Sequence, residues 1–154
     1  LIYKKRTGKI IGNGDIFCYM ATVVYLSVVF QLTLFCRENG SRIGIELKPF
    51  TNLTGGDNDF HWLMCAYAIL NVALFVPFGF FVSAYSGIQK MNIVKQLIIV
   101  VLLSFICSMT IEIMQLVTGR GYYQVEDLIC NTGGGLVGAL IFMSLKAISD
   151  MIRK

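Results

Sequence analysis

Four long apolar runs, separated by short polar segments, dominate the chain. They cover approximately residues 16–36, 62–85, 93–118 and 125–148. Each is about 20 residues or longer, and a helix rising about 1.5 Å per residue needs that length to cross a hydrocarbon core of about 30 Å. The pattern therefore predicts an all-α fold: a polytopic membrane bundle of four transmembrane helices, forming one domain over residues 1–154.

The composition supports a membrane protein and argues against a soluble one. Hydrophobic residues make up 56% of the chain and charged residues 14%, whereas soluble domains carry about 25% charged residues. The net charge of +4 does not indicate a nucleic-acid partner, because the basic residues lie in loops and at the ends. The five cysteines show no paired or metal-binding spacing, so we expect neither a metal nor another cofactor.

The distribution of basic residues predicts the orientation. If the runs cross the membrane alternately, nine of the 13 Lys and Arg residues lie on the side of the two termini and four lie on the other side. Because basic residues concentrate in cytoplasmic loops, both termini are predicted to be cytoplasmic. The loop at residues 37–61 and the turn around Arg120 would then face outward.

Polar residues recur on one face of the third run. Ser104, Ser108, Glu112 and Gln115 follow one another at intervals of four, four and three residues, which is helical spacing. Polar groups are costly in lipid, so this face is expected to turn towards other helices or a water-filled cavity. Glu112 would lie about 9 Å from the outer end of its helix.

The fourth run carries a matching polar face, with Asp127 and Asn131 followed by glycines that allow helices to approach closely. The second run contributes Asn71. A short turn makes the third and fourth helices antiparallel neighbours. We therefore predict that the polar side chains converge in the outer half of the bundle: Asn71, Glu112, Gln115, Asp127 and Asn131.

The sequence resembles the VanZ-like family over most of residues 46–140, and four elements carry the resemblance. A family N-L-x-P-F element resembles residues 46–50, and a family E-x-x-Q pair corresponds to Glu112 and Gln115. A family N-x-x-x-F-x-P-x-G-F element resembles Asn71, Phe75, Pro77, Gly79 and Phe80. A family R-x-F-D-x-x-D-x-x-x-N-x-x-G element resembles Arg120, Tyr123, Gln124, Asp127, Asn131 and Gly134. Two positions depart from the pattern: Glu46 stands where the family has Asn, and Gln124 where it has Asp.

The resemblance implies a bacterial cell-membrane protein of the Gram-positive envelope with a role in glycopeptide (teicoplanin) resistance. It does not imply a particular reaction. In one hypothesis the polar residues bind the antibiotic, or the headgroup of an envelope lipid or peptidoglycan-precursor lipid, in an outer-leaflet pocket. Arg120 would pair with phosphate or carboxylate through its planar guanidinium. The ligand-binding candidates are Asn71, Glu112, Gln115, Arg120, Asp127 and Asn131.

Two other classes of function stay open. In a membrane-embedded enzyme acting on an envelope lipid, Glu112 and Asp127 would serve as general acid and base, or would hold Mg²⁺. No nucleophile with an adjacent base is evident, so an enzyme is the alternative rather than the first choice. In the other alternative, the polar residues have no binding or catalytic role and only join the helices through hydrogen bonds. A transporter is disfavoured because the chain shows no internal repeat.

The predicted orientation can be tested by thiol labelling of a chain whose native cysteines are replaced by serine. Asn52→Cys is expected to react with a membrane-impermeant maleimide in intact cells, because residue 52 lies in the predicted outer loop. Lys90→Cys is expected to react only after permeabilisation. Labelling of position 90 in intact cells would contradict the orientation.

Overall fold

The computed structural model describes residues 12–36, 38, 40, 42–49 and 58–153. The basic residues of the first nine positions and the loop residues 50–57, both used in the sequence analysis, lie outside the described residues. In what is described, the long helices are α1 (Asn13–Phe30, continued by a π-helical segment, Gln31–Phe35), α2 (Asn58–Ala84), α4 (Ile93–Thr118) and α5 (Val125–Ile152). The shorter elements are helix α3 (Ser86–Gln89) and strands β1 (Arg42–Glu46) and β2 (Arg120–Gln124).

The four long helices confirm the predicted helical membrane fold. Within the described ranges, all four are long and apolar enough to cross a membrane. The third predicted helix has the bounds found in the structure, 93–118, whereas α2 begins at Asn58, four residues before the predicted start. The predicted apolar runs therefore locate the helices to within a few residues.

The exterior of the bundle is apolar, unlike that of a soluble protein. Large apolar side chains are exposed on its outside, for example Phe17, Val24 and Ile106. Polar side chains are among the most buried, and Ser83, Ser104 and Ser108 have no exposed surface. Soluble proteins expose their charged residues and bury their apolar ones. An apolar exterior, with polar groups turned inward among buried apolar side chains, indicates that lipid is the surrounding solvent.

Glycines bring α2 and α5 into backbone contact. A Cβ atom added at Gly79 would lie 1.9 Å from the carbonyl oxygen of Gly135, and one added at Gly138 would lie 2.0 Å from that of Val76. No side chain fits at such distances. In lipid, where apolar surface alone does not drive helices together, close approach of small residues provides the van der Waals contact that does.

The strands form a two-stranded parallel sheet that the sequence analysis did not predict. Arg42 pairs with Arg120 and Glu46 with Gln124. Each strand follows a long helix, and α4 passes into β2 through Gly119, whose φ of 64° ends the helix in the left-handed conformation. We call this end of the bundle the strand end.

The opposite end is held by contacts to the short helix α3. The carboxylate of Asp15, at the start of α1, accepts hydrogen bonds from the backbone nitrogen and the hydroxyl of Ser86, at 2.7 and 2.6 Å. The Nζ atom of Lys146 in α5 donates to Oε1 of Gln89, at 2.9 Å. The first and last helices are therefore both anchored to one short helix.

The close contact of α2 and α5 predicts a difference between two glycines of α5. Gly138→Ala is expected to lower the free energy of unfolding by about 1–3 kcal/mol, because the new methyl group meets the Val76 backbone. Gly133→Ala is the matched control, since a Cβ there has no neighbour within 4 Å. Melting temperatures in detergent would measure both, and equal stability of the two variants would contradict this packing.

Candidate functional site

The polar face of α4 is buried along most of its length. Ser104 and Ser108 are fully buried, Glu112 is 1% exposed and Gln115 is 2% exposed. The prediction that this face turns inward is confirmed. A buried carboxylate in a helix that crosses lipid is costly, by roughly 2.5–3.5 kcal/mol when charged at the membrane centre, so its surroundings need to be explained.

The polar faces of α4 and α5 meet at a hydrogen bond that sets their register. Nδ2 of Asn131 donates to Oγ of Ser108, at 2.9 Å. The two helices are antiparallel, so one turn towards the strand end, about 6 Å, leads from Ser108 to Glu112 and from Asn131 to Asp127. The two carboxylates therefore lie at about the same level of the bundle.

Asp127 also connects α5 to α2. Nδ2 of Asn71 donates to Oδ1 of Asp127 at 2.5 Å. Two of the polar residues predicted to converge are thus in direct contact, across 56 positions of sequence. The close approach of α2 and α5 at their glycines makes this contact possible, because both side chains are short.

Glu112 binds the start of α5. Its Oε2 atom accepts a hydrogen bond from the backbone nitrogen of Gln124, at 2.9 Å, and Gln124 is the N-cap residue of that helix. Glu126 and Asp127 lie in the first turn. The amino end of a helix carries a partial positive charge, so α5 offers a favourable environment to all three carboxylates.

Gln115 and Arg120 reach the end of α1, a contact that the sequence did not indicate. Nε2 of Gln115 donates to the Thr33 carbonyl, and an Nη atom of Arg120 donates to the Leu34 carbonyl, both at 3.2 Å. The guanidinium carbon also lies 5.7 Å from the centroid of the Phe35 ring. Carbonyls in the last turn of a helix lack intrahelical partners, and a cation there also interacts favourably with the helix dipole.

Some buried polar atoms of this region have no hydrogen-bond partner in the described part of the chain. Oε1 of Gln115, Oδ1 of Asn131, Oγ of Ser104 and Nε of Arg120 are among them. Buried polar groups are normally paired with protein or ordered water. These atoms therefore have hydrogen-bonding capacity that the described part of the chain does not use.

The two positions that depart from the family pattern are bonded to each other. Glu46 and Gln124 are register partners in the sheet, and Nε2 of Gln124 donates to Oε2 of Glu46, at 2.9 Å. The family pattern has a carboxamide at the first position and a carboxylate at the second, whereas this chain has the reverse. The pair therefore still consists of a carboxylate and a carboxamide, but the carboxylate lies on β1 instead of β2.

We call the polar side chains at the strand end the polar cluster: Asn71, Glu112, Gln115, Arg120, Asp127 and Asn131. Asn71 contacts Asp127, Asn131 contacts Ser108 one turn deeper, and Gln115 and Arg120 contact α1. Among the described residues, no group of three or more His, Cys, Asp or Glu side chains is placed to hold a metal ion. A groove of about 360 Å³ is found elsewhere, on the exposed side of α1 beside Val24 and Val28.

Comparison with known proteins gives one family and one similar relative. A family model described as VanZ/LLP1 matches residues 16–147. The relative, Protein VanZ of Enterococcus faecium, is 28% identical over 137 residues, which cover 88% of this chain and 75% of the relative. No solved structure matches the chain.

The Glu46–Gln124 pair predicts the result of exchanging its members. Gln124→Glu sets two carboxylates opposite each other and is expected to cost about 1 kcal/mol of stability, since like charges on paired strands repel. Adding Glu46→Gln restores the carboxylate–carboxamide pair and should recover most of that loss. A double-mutant cycle on detergent melting measures the coupling, and strictly additive effects would show that the pair contributes nothing.

Proposed function

The chain belongs to the VanZ/LLP1 family, and we propose that it raises the resistance of a Gram-positive cell to glycopeptides such as teicoplanin. In this proposal the polar cluster binds the drug, or the headgroup of an envelope lipid or peptidoglycan-precursor lipid. The drug would then be sequestered or kept from its target. The predicted orientation puts the strand end in the outer leaflet of the cell membrane, the side from which a glycopeptide arrives.

The burial of Glu112 is the observation that carries the proposal. Hydrogen bonds between helices can be made by Ser, Asn and Gln, as Asn131 and Ser108 do here. A carboxylate adds a desolvation cost, and the bond that Glu112 accepts from the Gln124 backbone is one that an amide oxygen also accepts. Glu112 nevertheless lies 1% exposed, at about the level of a second carboxylate, Asp127. A buried carboxylate at about the level of a second, partly buried one favours a binding role over packing alone.

The remaining members of the polar cluster have complementary roles in this proposal. Asn71 orients Asp127 through its hydrogen bond of 2.5 Å. Gln115 offers an oxygen that is not bonded within the described chain. Arg120 fixes the end of α1 beside the site, so that the ligand is enclosed by α1, α4 and α5.

The position of Glu112 and Asp127 at about the same level of the bundle also supports the alternative function, an enzyme acting on an envelope lipid. One carboxyl group would donate a proton and the other would accept one. A binding protein leaves its ligand unchanged, whereas an enzyme converts it. Incubating the purified protein with extracted envelope lipids and comparing their masses before and after would therefore separate the two functions.

Neutralising the carboxylates tests the site directly. Glu112→Gln and Asp127→Asn keep hydrogen-bonding capacity but remove charge. Each is expected to abolish the resistance that the wild-type chain confers in a susceptible Gram-positive host, while membrane abundance and melting temperature change little. Arg120→Lys is also expected to fail, because lysine lacks the planar, multiply donating guanidinium. The readout is the teicoplanin concentration that inhibits growth.

A carboxylate far from the site supplies the control. Asp150→Asn removes one negative charge from the exposed carboxyl end of α5 and is expected to leave susceptibility unchanged. Full resistance with the doubly neutralised Glu112→Gln, Asp127→Asn chain would leave helix packing as the role of the polar cluster. A wild-type chain without any effect on susceptibility would refute the resistance function itself.

A further inference from the structure

Helix α1 is the least enclosed of the four long helices. Only 6% of the residues in its most apolar stretch are buried, compared with 39% in α5. Among the described elements it packs mainly against α2, and the side opposite this contact is exposed. Lipid, or another protein in the membrane, must therefore cover most of the surface of α1.

The exposed side of α1 carries a groove that this helix forms by itself. The groove has a volume of about 360 Å³, and the described residues that line it are Val23, Val24, Ser27, Val28, Gln31 and Leu32. They form two rows at intervals of four residues, 23–27–31 and 24–28–32. Rows of this kind are the ridges between which a second helix packs. A small residue in the middle of a row, Ser27, allows that helix to approach closely.

The orientation of α1 in the bundle is fixed, so the groove cannot turn inward. The Tyr25 hydroxyl donates a hydrogen bond to the Leu74 carbonyl of α2, and Val29 is buried in the core. At the end of the helix, Arg120 donates to the Leu34 carbonyl. The groove therefore faces away from the rest of the protein.

Gln31 distinguishes this face from an ordinary lipid-facing surface. It lies inside the membrane-spanning segment Asn13–Phe35, its side chain is exposed, and its amide forms no hydrogen bond with the described part of the chain. An unsatisfied amide in hydrocarbon is costly. A lipid tail can fill the apolar part of the groove but offers no hydrogen bond to the amide. A partner with a polar group at the same depth would satisfy it.

We propose that this face of α1 is an interface between two copies of the chain, which pack their α1 helices side by side. A second copy inserts in the membrane with the same orientation, so its Gln31 lies at the same depth. An amide has both donors and an acceptor, and two such side chains complement each other across a two-fold axis. Hydrogen bonds of this kind between helices stabilise association in membranes. The interface goes beyond the binding function proposed above and does not depend on it.

The valines of the groove contribute packing at little entropic cost. A β-branched side chain has essentially one rotamer in a helix, so Val23, Val24 and Val28 lose little freedom when another helix packs against them. A row of one copy would enter the groove of the other, and the reverse, at a crossing angle of about −40° to −50°. The same groove thus provides both halves of a symmetric interface.

Energy transfer between donor-labelled and acceptor-labelled copies in liposomes measures the proposed dimer. The full chain, labelled at its carboxyl end, is reconstituted over a range of protein-to-lipid ratios. Transfer above the level of random proximity is expected, and it should rise with the ratio to the plateau of a two-copy complex. Absence of such transfer at every ratio would leave lipid in the groove and would overturn the proposal.

Two substitutions in the groove locate the interface. Gln31→Leu is expected to weaken dimerisation about 3–10-fold, the range that a hydrogen bond between membrane helices contributes. Ser27→Leu is expected to weaken it at least about tenfold, because a bulky side chain fills the groove in both copies. Thr110→Leu is the matched control, since it exchanges an exposed polar residue of α4 for leucine. A dimer that neither groove variant weakens would have its interface elsewhere and would also overturn the proposal.

Cross-linking gives a second measurement that does not depend on these leucine variants. The chain whose native cysteines are replaced by serine receives one cysteine, at Ser27 or Val28 in the groove or at the similarly exposed Ile106 of α4. A disulfide requires the two Cα atoms to approach within about 7 Å. On oxidation in membranes, a disulfide-linked dimer is expected from Ser27→Cys, Val28→Cys or both, and not from Ile106→Cys. Cross-linking through position 106 and through neither groove position would contradict the interface.

Discussion

The backbone contact between α2 and α5 determines where the polar cluster can form. Gly79 and Gly138 have no room for a side chain, because the carbonyls of Gly135 and Val76 lie about where a Cβ would be. At this separation a carboxamide on α2 reaches a carboxylate on α5, as Asn71 and Asp127 do. If α2 and α5 were farther apart, the two side chains could not form this hydrogen bond and would be exposed to lipid. Each unsatisfied polar group would then cost several kcal/mol. The site therefore depends on the glycines, although none of them touches a ligand in the proposed mechanism.

The packing of α4 against α5 also depends on a glycine, Gly135. A Cβ at Gly135 would lie 1.9 Å from Oγ of Ser104, so the polar face of α4 fits against α5 only where α5 has no side chain. The Asn131–Ser108 bond then fixes the register, and the register brings Glu112 to the level of Asp127. Packing by small residues and placement of the carboxylates are therefore consequences of the same pattern in α5.

The sequence predicted the helices and their polar faces because lipid imposes a simple rule: an apolar surface outside, and polar groups turned inward. The spacing of Ser104, Ser108 and Glu112 was sufficient to place them on one buried face. The paired strands were missed because RIGIE and RGYYQ are five residues each and contain glycine, which in a loop between helices favours a turn. Their pairing depends on where two helices end in space, and no local pattern encodes that.

The same limit applies to Gln115 and Arg120. Helical spacing puts Gln115 on the buried face, but its partner is a carbonyl of the π-helical segment, 82 positions away. Any carbonyl there would satisfy the amide, so the sequence contains no specific signal for the pair. Glu46 and Gln124 are more informative, since they are the two departures from the family pattern and they turn out to be hydrogen-bonded. These two departures were the available signal of contact between the loop at residues 37–61 and the turn around Arg120.

The polar cluster joins helices and is also the candidate site, and these roles need not conflict. The bonds of Asn71 and Asn131 hold α2, α4 and α5 in register, which fixes the carboxylates in position before a ligand arrives. Fixed groups lose little conformational entropy on binding. Removing the charge of Glu112 should leave this framework largely intact, because an amide can still accept the backbone hydrogen bond of Gln124. The negative charge is thus the property of the polar cluster that the hydrogen bonds between helices do not require, and it is the property on which the proposed function of the site depends.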